Sequence, residues 1–357
     1  MGEQIYLKET HKRLLCENLQ LIKFVVSSFK NILMNSKGYI AIWSLVLLIC
    51  TDVQSQDFYT VFSSEVEYSP KNPYTYEPSN SVDLQENNTD LNIPLPRKNG
   101  DAILFGIGAQ KFRPTANFVQ EPITVDTVYS STYQFYRYRL QAGYNKKWNE
   151  EFSTVFMMMG RISSDMIEGI QPNIFQYGGL LLFTKKRSDL ITYKFGLYMN
   201  TEFFGLFIVP LFGVDWKMSD KWRAFGVLPA SMSIQYSLNK SFRTGLMFKA
   251  PTNTYRVSEE SLDNPNNDRI STYVHYQTNN LYAYLDCYLT KSIVFTAKVG
   301  RSIFRGVRLY DSDDVFSFNI SGIGFGGTRQ PIPVPVYRDF SDGWLLNAAI
   351  SYRFNLE

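Results

Sequence analysis

Apolar and polar residues alternate along much of the chain, and the alternation is clearest near the C-terminus, in residues 344–354. Every second residue from Trp344 to Phe354 is apolar, with aromatic residues at both ends, while the residues between them are mostly small or polar. Because side chains on a strand alternate between its two faces, this segment has one apolar and one polar face. A membrane-spanning β-strand of about ten residues needs this pattern, with lipid on one side and a polar lumen on the other.

The same period of two recurs in at least four further segments. These lie at residues 136–144, 191–200, 242–250 and 281–289. Short polar turns are predicted at residues 145–151, 185–189, 218–222, 238–241 and 289–292. Longer connections alternate with most of them, at residues 163–174, 251–270 and 309–342. Short turns at one end and long loops at the other are typical of outer-membrane barrels, whose short turns face the periplasm.

These patterns predict an all-β fold, a transmembrane antiparallel up-and-down β-barrel of about twelve strands, within a range of about 10 to 14. The range reflects residues 222–238, which contain Leu228 and Pro229 and fit either one kinked strand or a short hairpin. Residues 69–99 are rich in Pro, Asn and Asp, and we expect a long loop there after the first strand.

The only long apolar run, residues 38–50, is too short for a transmembrane helix, which needs roughly 20 residues. It fits the apolar core of a secretory signal peptide, and the small residues Val53 and Ser55 predict cleavage between Ser55 and Gln56. We therefore expect a leader at residues 1–55, with Met34 as an alternative start, and an outer-membrane barrel at residues 56–357. A cytoplasmic extension or a membrane anchor is the alternative for the leader.

Composition is consistent with a barrel. Charged residues make up 19% of the chain and aromatic residues 16%, and the mean hydropathy is −0.19. A helical membrane protein would be more apolar, and most soluble proteins carry more charge and fewer aromatic residues. The net charge of +3 is too small to predict a nucleic-acid partner.

The chain also resembles a family of outer-membrane β-barrel proteins of unknown function from Gram-negative bacteria. The resemblance rests on the leader ending VQSQ, the hairpins around DWKMSDKW and YSLNKSF, the Leu228-Pro229 step and the ending SYRF. The terminal strand is similar to the C-terminal targeting signal of such barrels, although Asn355, Leu356 and Glu357 follow its last aromatic residue. The resemblance implies outer-membrane lipid and the barrel-assembly machinery as partners, and it brings no known active site.

No catalytic, cofactor or metal site is predicted. His275 is the one histidine of the mature chain, and the serine nearest to it in sequence, Ser271, is four residues away, so a rim histidine is favoured over a triad assembled across strands. A zinc site would need three or four ligands. The glycine-rich residues 322–328 precede prolines rather than a helix, which favours a loop over a phosphate site. The acidic residues 311–314 fit a solvated loop tip better than a calcium site.

Eight charged residues occupy polar rows of the predicted strands and are candidates for lining the lumen. They are Arg137, Arg139, Lys194, Arg243, Lys249, Asp286, Lys298 and Arg353. The excess of basic residues predicts a lumen that favours anions. In the alternative, these residues pair with carboxylates such as Glu202 and Asp286 and fill a narrow barrel.

The expected function is that of a small channel or a transport component for small solutes. One alternative is an outer-membrane lipid-modifying enzyme of the hydrolase or acyltransferase type, which a serine across from His275 would favour. The other is a structural or binding barrel without flux, which a filled lumen would favour. An enzyme is the less expected of these functions, and no cofactor is predicted.

Overall fold

A computed structural model of the chain describes residues 58–74, 80–120, 127–258, 272–311, 315–320, 323–327 and 341–355. The predicted leader and its cleavage site lie outside these residues, as do Ser271, Asp313 and Asp314. Within the described ranges, no helix is long and apolar enough to cross a membrane.

The described residues form strands and one short helical turn, Pro172–Ile174. The strands are β1 (Phe58–Pro73), β2 (Ser81–Pro96), β3 (Ala102–Gln120), β4 (Thr127–Thr132), β5 (Phe135–Lys147), β6 (Phe152–Ser164), β7 (Phe175–Lys186), β8 (Ile191–Glu202), β9 (Gly205–Lys217), β10 (Trp222–Leu228), β11 (Ser231–Ser237), β12 (Phe242–Lys249), β13 (Thr252–Val257), β14 (Thr272–Tyr288), β15 (Ile293–Asp311), β16 (Phe316–Ile320), β17 (Ile323–Gly327) and β18 (Trp344–Asn355).

A closed antiparallel barrel of 14 strands forms the wall. The order around the barrel is β1-β2-β3-β5-β6-β7-β8-β9-β10-β11-β12-β14-β15-β18, and β18 pairs with β1 to close it. The predicted all-β up-and-down barrel is confirmed, with the strand number at the upper end of the predicted range. Residues 222–238 form a hairpin, β10 and β11, rather than one kinked strand.

The long loop predicted at residues 69–99 is wrong, because β2 occupies most of this segment. Strand β2 pairs with β1 on one side and with β3 along its whole length on the other. Residues 85–90 are polar on both faces, so the sequence shows no contrast between an inner and an outer row there. Strand β2 forms because β1 and β3 pair with it on either side. The sequence pattern of β2 alone does not reveal this pairing.

The outer surface of the wall is apolar. In β18 the predicted apolar row points outward, with Trp344, Leu346 and Ile350 exposed, whereas Leu345 and Ser351 are buried in the interior. Similar rows of exposed apolar side chains follow most of the other wall strands. An apolar outer face of this kind is typical of membrane β-barrels.

The five short turns predicted from the sequence lie at one end of the barrel, the short-turn end, together with the turn at residues 97–101. The opposite end, the long-loop end, carries the connections at residues 165–174 and 312–343. At this end, two of the connections between neighbouring wall strands are only two residues long, at Phe203–Phe204 and Pro229–Ala230. The predicted separation of short and long connections therefore holds with these two exceptions.

Part of the sheet leaves the wall and crosses the lumen at the long-loop end. It consists of β13 with residues 272–277 of β14 and residues 306–311 of β15, and we call it the crossing segment. It bends away from the wall where the register of β14 and β15 shifts, between Gln277 and Asn279. Its far edge reaches β6, where Arg256 pairs with Ser164. Strand β6 is seven strands from β14 in either direction around the barrel, so the crossing segment spans the full lumen.

Both faces of the crossing segment are buried against the inside of the wall. On one face, the ring of Phe112 in β3 stacks on Tyr255 and Tyr276, with ring centroids 5.7 and 4.7 Å apart. On the other face, Tyr273 and Tyr310 pack in an apolar cluster with Phe204. Consecutive residues of a strand point to opposite faces. Because both faces of this part of the sheet pack against apolar groups, consecutive residues are buried here.

A short hairpin from the connection between β15 and β18 completes the wall beside β9. Strand β10 pairs with β9 only from Phe212 to Lys217. Beyond this point β16 takes the free edge of β9 in parallel, with Phe318 beside Leu206 and Ile320 beside Ile208. The outer face therefore stays apolar between the short β10–β11 hairpin and the long-loop end. Its exposed side chains there include Leu206, Phe318 and Ile320.

Candidate functional site

Several of the candidate lumen residues form ion pairs inside the barrel. The Glu65 carboxylate of β1 lies 3.1 Å from Lys249 Nζ of β12 and 2.8 Å from Lys298 Nζ of β15. Strands β1 and β12 are not neighbours in the wall, so the first of these contacts is made across the interior. Glu65 thereby holds three parts of the wall together.

A second group lies nearer the short-turn end. Asp286 Oδ2 lies 3.1 Å from Arg353 Nη1, and Asp286 also accepts a hydrogen bond of 2.5 Å from the hydroxyl of Thr296. The guanidinium of Arg243 lies 4.5 Å from the ring centroid of Tyr288. These contacts neutralise the Asp286 carboxylate and place the Arg243 cation on an aromatic face.

The remaining three candidates lie on β5 and β8. Arg139 Nη2 is 2.6 Å from Asp90 Oδ1, across β3. Arg137 contacts the crossing segment instead, since its Nη1 donates to Asn253 Oδ1 and its guanidinium lies 5.1 Å from the Tyr255 ring centroid. Lys194 makes no ion pair with any residue that the structure describes. The eight candidates therefore do not form a single cluster.

A buried network that the sequence did not predict ties the crossing segment to the wall. Arg161 of β6 forms an ion pair with Glu202 at the end of β8, and both side chains are almost fully buried. The other carboxylate oxygen of Glu202 accepts hydrogen bonds from Thr254 (2.5 Å) and Gln176 (3.0 Å). Glu202 therefore does pair with an arginine, as the alternative interpretation expected of this carboxylate, but with one outside the eight candidates.

A polar cavity of about 360 Å³ lies between the crossing segment and the wall strands β2, β3, β5, β6 and β12. Its charged lining consists of Glu86, Asp90, Arg137, Arg139, Arg161 and Lys249. The volume falls at the lower end of the range of about 300–1,000 Å³ that is usual for small-molecule sites. Three of the eight candidate residues, Arg137, Arg139 and Lys249, meet at this cavity.

Most of the cavity lining escaped prediction for local reasons. Glu86 and Asp90 lie in the part of β2 that is polar on both faces, and Arg161 follows the apolar Met157 and Met159 in the inner row of β6. Glu65 could have been recognised from the sequence as an inward-facing residue, since it alternates with the apolar Val66 in β1. No local pattern links these residues, because their strands meet only when the barrel closes.

His275 lies in the crossing segment and not at a rim. Its ring packs 4.6 Å from that of Phe204 and 6.3 Å from that of Tyr310, measured between centroids. Its partner across β13 is Thr254, and no serine of the described residues hydrogen bonds to its side chain. Among the described residues, no serine therefore takes the position next to His275 that would favour an enzyme. No group of three metal-ligating side chains occurs within the described ranges either.

Asp342 fixes the bend at which β15 leaves the wall. Its carboxylate accepts hydrogen bonds from the backbone N–H groups of Phe304 and Arg305, both at 2.9 Å, and from the Ser302 hydroxyl at 3.0 Å. Phe304 adopts a positive φ of 57° at this bend. Partial burial alone would raise the pKa of Asp342, but the hydrogen bonds from Arg305, Phe304 and Ser302 outweigh it and lower the pKa below its usual value.

Comparisons with solved structures find other β-barrels at very low sequence identity. A NanC porin structure has 7% identity and a TM-score of 0.32, over 82% of this chain and 100% of that one. The Pseudomonas putida toluene transporter TodX has 9% identity and a TM-score of 0.31, over 85% of this chain and 90% of that one. The copper transporter OprC has 10% identity and a TM-score of 0.30, over 82% of this chain and 61% of that one. No functional conclusion follows from similarities of this size.

A comparison with curated proteins finds no match. A family model does match, over residues 53–319, which is well over half of the chain and includes every wall strand except β18. Its description is Domain of unknown function (DUF6268). The chain therefore belongs to the DUF6268 family.

Proposed function

We propose that this protein is an outer-membrane β-barrel that transports small polar solutes and that the crossing segment closes it at rest. The polar cavity beneath the crossing segment is the observation that carries this proposal. A purely structural barrel gains nothing from a charged cavity, because buried charges are costly unless they are paired. A solute site explains why charged groups from four strands converge there.

Transport would require the crossing segment to move, because it spans the lumen. Its far edge is held by polar contacts that opening would have to break. Thr254 bonds with Glu202, Gln176 and Ser163, Asn253 with Arg137, and Ser258 with Asp165, and the backbone of Arg256 pairs with β6. The base of the crossing segment is continuous with the wall, so a movement that breaks the edge contacts would turn the segment about this base. The bend near Phe304 and Asp342 is the natural position for this hinge.

In the proposed orientation, the short-turn end faces the periplasm and the long-loop end faces the outside. Barrels with this asymmetry insert with their short turns in the periplasm. The crossing segment would then separate the cavity from the external medium. Outer-membrane lipid around the apolar surface and the assembly machinery at β18 complete the proposed partners.

A reversible crosslink tests the proposal directly. Ser164 and Arg256 are paired neighbours, so cysteines at both positions meet the distance requirement for a disulfide. The double variant, in a Cys287→Ala background, is reconstituted into planar bilayers. We expect discrete conductance in the reduced protein and no conductance in the oxidised protein, while each single-cysteine variant is insensitive to oxidation.

Two results would contradict the proposal in different ways. Equal conductance in the oxidised and reduced double variant would mean that the crossing segment does not close the barrel. Lack of conductance in the reduced double variant and in the wild-type protein, together with no solute uptake into vesicles, would exclude a transport function.

A further inference from the structure

Two charged groups at the cavity have no charged partner, although the others do. Asp90 pairs with Arg139, Arg161 with Glu202, and Lys249 with Glu65. Arg137 and Glu86 belong to no ion pair among the described residues. Both line the same cavity, and they are not within ion-pair distance of each other. The cavity thus presents one guanidinium and one carboxyl group that form no ion pair with the described residues.

Arg137 is held in place but not neutralised. Asn253 supplies one amide oxygen and Tyr255 supplies a ring face. The Nε and Nη2 atoms of Arg137 are buried and have no acceptor among the described residues. A buried guanidinium with two unused donors is a favourable site for a carboxylate, which can accept both hydrogen bonds at once.

Glu86 is the complementary group. Asn88 and Gln110 both donate to Glu86 Oε1, at 2.6 and 2.7 Å. These two hydrogen bonds fix the orientation of the carboxylate, while Oε2 receives no hydrogen bond from the described residues. An ammonium group of a ligand is the partner that satisfies both the charge and the free acceptor.

We propose that the cavity binds a small zwitterion of the amino-acid type, with its carboxylate on Arg137 and its ammonium on Glu86. This inference rests on the proposed solute cavity and names the class of solute. A volume of about 360 Å³ is far larger than that of one water molecule, which occupies about 30 Å³ in the liquid, and it accommodates an amino acid or a dipeptide. A simple anion would satisfy Arg137 but would leave Glu86 Oε2 without a donor.

Binding is tested separately from flux, by calorimetry on the full protein in detergent micelles. The probes are alanine and alanylalanine, with propionate as the matched anion and isopropylamine as the matched cation. We expect the two zwitterions to bind at least about tenfold more tightly than either singly charged probe, which is the effect of one additional charge-assisted contact.

Neutral variants of similar shape assign the two contacts. Arg137→Gln and Glu86→Gln should each weaken binding of alanylalanine about tenfold or more. Lys194→Gln is the matched control, because Lys194 lies in an inner row but does not line the cavity, and it should leave binding unchanged. Circular dichroism and heat-modified electrophoretic mobility show whether each variant still folds as a barrel.

The outcomes separate this inference from the proposed function. Propionate binding as tightly as alanine would identify a simple anion site and overturn the zwitterion proposal. No binding of any probe, in a protein that still conducts, would overturn the proposal while leaving the transport function intact. Zwitterion binding in a protein that never conducts would support the site and contradict transport.

Discussion

The hydroxyl of Thr254 in the crossing segment donates a hydrogen bond of 2.5 Å to the Glu202 carboxylate at the end of β8. Thr254 is fully buried, and its oxygen also accepts hydrogen bonds from Gln176 and from the backbone N–H of Phe203. One side chain of the crossing segment thus satisfies several polar groups of the wall. Its removal leaves those groups unpaired in the interior.

Thr254→Val should therefore weaken the closed state while keeping the shape of the side chain. We expect a loss of about 1–3 kcal/mol in the free energy of unfolding, because buried donors and acceptors lose their partner. Single-channel recordings should also show more frequent opening. Thr244→Val is the control, since its hydroxyl donates to the Tyr284 carbonyl within the wall and not to the crossing segment. Equal opening in both variants would contradict a latch at Thr254.

The two faces of β5 should differ in their tolerance of charge. Leu140 is exposed on the apolar surface, and its neighbour Gln141 points inward and donates to Asn92. We expect Leu140→Arg to cost about 2–4 kcal/mol, because the charge meets hydrocarbon near the bilayer midplane. Gln141→Arg should cost much less. Urea unfolding of the protein refolded into lipid vesicles measures both, and equal costs would contradict the membrane barrel.

The membrane orientation is testable with impermeant thiol reagents on whole cells. In a Cys287→Ala background, Ser188→Cys places a thiol at the short-turn end and Ile170→Cys places one at the long-loop end. We expect labelling at position 170 and protection at position 188 until the outer membrane is permeabilised. The reverse result would show that the short turns face outward.

The contact between β9 and β16 should depend on a glycine. Gly205 has a φ of +114°, and a Cβ atom there would collide with the carbonyl oxygen of Phe316. Gly205→Ala should therefore detach β16, lower the melting temperature and make the connection between β15 and β18 sensitive to protease. Gly160→Ala is the matched control, because no heavy atom lies within 4 Å of its Cβ position. Wild-type behaviour of Gly205→Ala would mean that β16 does not depend on this contact.

Acid should weaken the bend at Asp342. The pKa of this carboxyl is lowered in the folded protein, so its contribution to stability is present above the pKa of the unfolded chain, about 4, and is lost as the pH falls through the folded value. Asp342→Asn should lower the melting temperature at neutral pH, and the difference from wild type should shrink as the pH falls below about 4. A difference that does not change with pH would assign the effect to shape and not to charge.

The sequence predicts the wall well and the interior poorly, for a physical reason. Alternation reports which face of a strand meets lipid, so it identifies β18 and the strand containing Leu285 without knowledge of the fold. The crossing segment gives no such contrast, with Tyr273 beside Val274 and Leu309 beside Tyr310, because both of its faces are buried after it leaves the wall. The interior ion pairs join residues far apart in sequence, such as Glu65 and Lys249, and depend on closure of the barrel.

Strands β10 and β11 contain only seven residues each, whereas their neighbour β9 contains thirteen. At about 3.3 Å per residue and a tilt of about 40°, seven residues cover roughly 18 Å of the roughly 25 Å apolar band of an outer-membrane barrel. The hydrophobic thickness of this protein is therefore unequal around its circumference. Strand β16 carries Phe318 and Ile320 on its outer face and extends the apolar surface on this side of the barrel. The match between the hydrophobic thickness of the protein and that of the bilayer therefore depends here on the hairpin of β16 and β17.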